Sequence, residues 1–125
     1  MKEKVKFIGP VYDREKLLEY YNRAKIFCLT SRTECFANVF SESSYFGDYI
    51  ITTNVGGAEE ITEIGKYGEV VEQEDLEGYI TCLQNTIDGT INLQEKYDEI
   101  IERRENITWK NLIEQNKEFK RIFTN

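Results

Sequence analysis

Two carboxylates stand eight positions apart in the stretch Ser31-Arg32-Thr33-Glu34-Cys35-Phe36-Ala37-Asn38-Val39-Phe40-Ser41-Glu42. If every residue between them were helical, Glu34 and Glu42 would be separated by roughly 12 Å at 1.5 Å per residue. A folded loop shortens that gap, but the pair still suits two parts of an elongated ligand better than a single bond. A glycosidase pair, with carboxyls about 5 to 9.5 Å apart in one cleft, is compatible with the spacing and not specified by it. The plainer alternative is an acid near a helix N-terminus and an ordinary surface glutamate. Downstream, Gly56-Gly57 follows an apolar run and precedes a short helical stretch. Backbone N–H groups there could meet an anion, and equally the glycines could serve a tight turn that needs positive φ. Arg32 is a candidate anion contact or a solvated loop cation. The chain has no histidine, which removes Ser-His-Asp and Cys-His catalysis from within it. It also has no Asp-x-Asp that would present a metal to a diphosphate.

The elements that must position these groups alternate between strand and helix. Val5–Ile8 reads as a strand ended by Gly9-Pro10, and Asp13 as the N-cap of a helix through about Tyr21. Ile26–Leu29 is a short apolar run fit for a buried strand, and Asn38–Phe46 a helix closed by Gly47. Tyr49–Thr52 is a β-branched third strand, Ala58–Thr62 a short helix, and Gly68–Val71 a fourth strand. Asp75 caps a helix to about Asn85. Asn92, with Glu95 three residues on, starts another to about Arg104. A last helix over 108–123 would carry Trp109, Leu112, Ile113 and Phe119 as its apolar stripe. Four strands alternating with helices imply an α/β fold with a parallel sheet and right-handed crossovers. In such sheets ligands sit at the carboxyl ends of the strands, where Glu34 would lie.

A chain of 125 residues is one domain's worth, and its 40% hydrophobic content suffices for a core. No run approaches the ~20 apolar residues of a membrane span, and the first residues lack a signal peptide's apolar segment, so a cytoplasmic protein is expected. Cys28, Cys35 and Cys82 have neither Cys-x-x-Cys nor zinc spacing and read as free thiols. Residues 31–100 carry fifteen acidic against three basic side chains, within a net charge of −7. So acidic a middle would repel a phosphate backbone, which argues against nucleic acid as a partner. Any phosphate site must draw its charge from few places, because only Arg32 and Lys66 are basic between 31 and 95.

Taken together, Ser31-Arg32-x-Glu34-x-Phe36-x-Asn38-Val39-x-x-Glu42 resembles the Glu-x7-Glu signature of GT-B glycosyltransferases, in the large group (glycosyl transferases group 1) that includes bacterial capsule and lipopolysaccharide enzymes. Gly47 and then Ile50-Ile51-Thr52-Thr53-Asn54-Val55-Gly56-Gly57-Ala58-Glu59-Glu60 is similar to that family's strand and Gly-Gly-x-x-Glu turn. Gly68-Glu69-Val70-Val71 with Asp75, Ile8-Gly9-Pro10-Val11 and Trp109 extend the resemblance from about residue 5 to 123. Two departures stand out: Ala37 replaces a usual Gly or Pro, and Asp48-Tyr49 replaces a usual apolar-Pro.

The resemblance implies a Rossmann-like domain over 1–125, the C-terminal, donor-binding half of a GT-B fold. It implies transfer of a sugar from a nucleotide-diphosphate sugar to a glycan or lipid-linked acceptor, with retention and without metal or other cofactor. Glu42 would bind the donor's ribose hydroxyls and Glu34 would face its sugar as the catalytic acid. Arg32, Phe36, Ala37, Asn38, Gly56 and Gly57 would complete the donor site. The family's acceptor-binding domain, and the basic pair that grips the diphosphate, match nothing in this chain. They are expected in a longer parent, peripheral to a membrane, and the isolated chain is expected to be inactive. The alternative is a stand-alone nucleotide- or sugar-binding module.

Overall fold

The computed structural model describes residues 4–34 and 38–104. Three parallel strands, β1 (Ile26–Leu29), β2 (Tyr49–Thr53) and β3 (Gly68–Val71), pair in the order β1-β2-β3. Five helices accompany them: α1 (Arg14–Arg23), α2 (Asn38–Tyr45), α3 (Ala58–Thr62), α4 (Leu76–Ile87) and α5 (Leu93–Arg103). This is the α/β, Rossmann-like arrangement expected, with each parallel step made through a helix. The strip 108–123, expected to be helical, lies outside the described residues.

β2 is the centre of the sheet, and all five of its residues are buried. Ile50 packs with Phe40 of α2, Val55, and Ala58 and Ile61 of α3, while Phe27, Leu29, Val39 and Val70 close around them. α2 offers the core Phe40, Ser43 and Ser44, spaced as one helical face. The Ser43 hydroxyl donates to the Phe40 carbonyl at 3.2 Å, which lets a polar side chain be buried there. Gly47 carries the chain from α2 into β2 with φ +84°, and a Cβ on it would collide with the Tyr97 ring of α5. Only glycine satisfies both conditions.

The helix starts are where the sequence puts them. Asp13 accepts from the Glu15 N–H at 3.0 Å, Asp75 from Gly78 at 2.9 Å and Asn92 from Glu95 at 3.1 Å.

One expected strand is absent. Val5–Ile8 is irregular and exposed, with Phe7 95% accessible, so among the described residues the sheet has three strands and not four. A four-residue run interrupted by Lys6 has no neighbouring strand to complete its ladder. Without that pairing, β-propensity does not offset the entropy of ordering it.

Candidate functional site

The loops that follow the three strands meet at the carboxyl edge of the sheet. Glu34 stands in the loop after β1, its carboxylate accepting from the Ser31 hydroxyl at 3.2 Å. Its backbone carbonyl accepts from the Gly56 N–H at 3.0 Å, which joins the β1 loop to the β2 loop. Gly57 takes φ +86° just before α3, as a turn into a helix requires. The Gly56 N–H is thus engaged with protein and not turned to an anion. α3 is also a single short turn, so its dipole is small.

Glu42 lies on α2 on the side away from Phe40, and its carboxylate is 23% exposed. Arg14 of α1 donates to it at 3.2 Å. The Tyr21 hydroxyl, also on α1, lies against the same carboxylate. Burial, and then the charge of Glu42 and a hydrogen bond to it, push Tyr21 up to about 12. Glu42 is therefore oriented by Arg14 with Tyr21 beside it, two groups from one helix, and has capacity left to accept further donors.

Arg32 pairs with Glu74 at 3.4 Å, both well exposed, an interaction worth about 0–1 kcal/mol. The pair flanks a cavity of about 230 Å³ between the strand ends and the start of α4, lined also by Thr30, Thr53, Gln73 and Tyr79. Asn38 opens α2 and is exposed. Phe36 and Ala37 lie outside the described residues.

Glu34, Arg32, Gly56 and Gly57 are thus gathered at one edge by two consecutive strand-to-helix loops. Glu42 reaches toward α1 instead. Sequence reasoning missed Arg14, Tyr79 and Gln73. The Tyr79 hydroxyl donates to the Ile51 carbonyl at 2.6 Å and lies 3.3 Å from that of Leu29, tying α4 to β1 and β2. Gln73 spans the loops themselves. Their partners lie tens of residues away, and no local pattern announces them. Among the described residues, no cluster of three or more His, Cys, Asp or Glu is placed to hold a metal ion, and no helix is long and apolar enough to cross a membrane.

Residues 1–106 match the family model described as "Glycosyl transferases group 1". The chain is 27% identical over 105 residues to D-inositol 3-phosphate glycosyltransferase 2 of Catenulispora acidiphila. That match takes in 84% of this chain and 24% of the relative, so the chain spans about a quarter of that protein's length.

Proposed function

Because the chain belongs to the glycosyl transferases group 1 family, we propose that it is the donor-binding part of a GT-B glycosyltransferase. Its parent moves a sugar from a nucleotide-diphosphate sugar to a glycan or lipid-linked acceptor, with retention and without a metal. The observation that carries this reading is the placement of Glu34 and Glu42, one in the loop after β1 and one on the helix that the loop enters.

In this reading Glu34 and Glu42 are the two acids of the family's Glu-x7-Glu signature. The Glu42 carboxylate accepts the ribose hydroxyls while Arg14 and Tyr21 hold it in place. Charge-assisted hydrogen bonds of this kind are worth roughly 1.5 to 3 kcal/mol each. Glu34, fixed by Ser31 Oγ and by its own carbonyl, faces the transferred sugar. Backbone N–H groups of the first turn of α2, from Asn38, meet the diphosphate with the favourable end of the helix dipole. Catalysis is then positioning plus stabilisation of charge on the departing diphosphate. Arg32 is the single basic side chain that residues 31–65 contribute. The remaining positive charge, and the acceptor site, come from another domain of the parent.

The test is titration of the ¹⁵N-labelled chain with a panel of nucleoside diphosphates, reading backbone amide shifts. Shifts centred on residues 34–42, with affinity in the high micromolar range or weaker (roughly −5 kcal/mol), are expected. Saturation with no shift in that stretch would remove the donor-site reading. Donor consumption by the isolated chain, with and without acceptor, separates the part of an enzyme from a complete one. No transfer is expected, and sustained transfer would overturn the two-domain reading.

A further inference from the structure

The side-chain nitrogen of Gln73, in the loop between β3 and α4, touches three backbone carbonyls. It lies 3.3 Å from Ser31 O, 3.3 Å from Arg32 O and 3.2 Å from Asn54 O. An amide offers two N–H donors, so the three acceptors share them. The orientation follows from chemistry: turned over, the amide oxygen would face three carbonyl oxygens with no donor between them.

Each acceptor belongs to a loop with a site residue close by. Ser31 donates its hydroxyl to the Glu34 carboxylate and Arg32 precedes Glu34 by two residues. Asn54 precedes Gly56 by two residues, and Gly56 donates to the Glu34 carbonyl. The contacts therefore close a ring, from Gln73 to Ser31 to Glu34 to Gly56 to Asn54 and back to Gln73. Within it, Glu34 is held by its side chain at one point and by its backbone at another. The Thr53 hydroxyl shares the Ser31 carbonyl but reaches neither Arg32 nor Asn54. Gln73 is the one member that spans both loops by its side chain alone.

We infer that Gln73 is a positioning residue for the Glu34 loop. It sets where the Glu34 carboxylate stands without touching the ligand. Its consequence for sugar transfer rests on the donor-site reading above, but the bridging itself does not.

Residue-resolved amide hydrogen exchange on the unliganded 125-residue chain tests it, with Gln73→Met, which keeps length without donors, and Gln73→Glu, which sets a carboxylate against the carbonyls. In both variants the Gly56 amide should exchange about three- to tenfold faster than in the parent chain. The amides of Ile51 and Thr52 in the core of β2 should be unchanged. An unaltered Gly56 rate in both variants overturns the inference. So does equal acceleration of Gly56 and β2, which would make Gln73 a contributor to global stability only. Loss of the native spectrum in both variants would make it a folding residue and overturn it as well. Nucleotide titration of the same samples reads the donor site separately: absent binding sinks that reading and leaves the exchange result standing.

Discussion

The two ends of the same three strands are built on different principles. At the carboxyl edge, side chains of Thr53, Gln73 and Tyr79 donate to backbone carbonyls of neighbouring strands and loops, so each loop is held from more than one side. At the amino end, Asp48 enters β2 with its side chain buried, 1% exposed, and neither carboxylate oxygen has a hydrogen-bond partner among the described residues. It lies at the side of an apolar groove of about 300 Å³ formed by Ile8, Val11, Leu17, Tyr20, Tyr21 and Phe27. One end spends its polar groups on geometry. The other leaves a polar group unanswered among apolar ones, with exposed Val5, Phe7 and Tyr12 close by in sequence. The comparison teaches that a fixed loop needs donors matched to carbonyls. A buried carboxylate without donors becomes a liability that depends on pH.

That liability is the largest effect expected. Burial pushes the Asp48 carboxyl up to about 7. In the unfolded chain it titrates near the ordinary value of about 3.9. Between those values the folded chain holds a proton that the unfolded chain has released. Stability from this group is therefore fully present below about pH 4 and is lost as pH rises to about 7, on the order of 4 kcal/mol in all. Urea unfolding from pH 4 to pH 8 should show this loss in the parent chain, and Asp48→Asn should flatten the difference. Parallel pH profiles for the two chains would mean that Asp48 is already ionised and answered, and the contrast between the two ends would vanish.

The next effect belongs to the ordered end. In a two-domain parent of the kind proposed, Glu34→Gln would keep an acceptor for Ser31 while removing the charge proposed to face the sugar. Turnover should fall by about 10² to 10³, the scale of losing one group aimed at developing charge. Affinity for free nucleoside diphosphate should stay within about twofold. If turnover survives within about twofold, Glu34 only shapes its loop.

Glu42→Ala should have a smaller, purely binding effect. Losing charge-assisted acceptors for the ribose should weaken nucleotide binding at least tenfold, about 1.4 kcal/mol or more, with far-UV circular dichroism unchanged. An unaltered dissociation constant removes Glu42 from the site.

How legible these features are in the sequence follows from the reach of the forces involved. Helix caps are contacts between neighbours, so Asp13, Asp75 and Asn92 can be read directly. β1, β2 and β3 are legible because apolar, β-branched runs are bounded by glycine or polar turns. Val5–Ile8 has the same local look and fails, because a strand is completed only by a partner and the described chain offers it none. The placement of Glu34 and Glu42 on loop and helix is readable from their position after an apolar run. Their restraints are not: Gln73 lies 42 positions from Ser31, and Arg14 lies 28 from Glu42.

Arg14 supplies the smallest and most discriminating prediction. Its guanidinium meets Glu42 at 3.2 Å from a side chain that is itself mostly exposed. A pair of this kind contributes roughly 0.2 to 1 kcal/mol, because solvent screens it and ordering a long side chain costs entropy. Two influences on nucleotide binding then oppose each other. Removing Arg14 frees one oxygen of Glu42 for ribose, and it also leaves that carboxylate less firmly oriented, with only Tyr21 beside it. Both are small, so Arg14→Ala should move the nucleotide dissociation constant by less than about fivefold, measured by titration at fixed salt. A loss of tenfold or more would give Arg14 a different part. It would mean that the guanidinium leaves Glu42 and takes hold of the ligand's phosphates. The ordered end of the molecule would then carry a basic contact from α1 that the acidic middle of the chain, poor in basic residues, lacks.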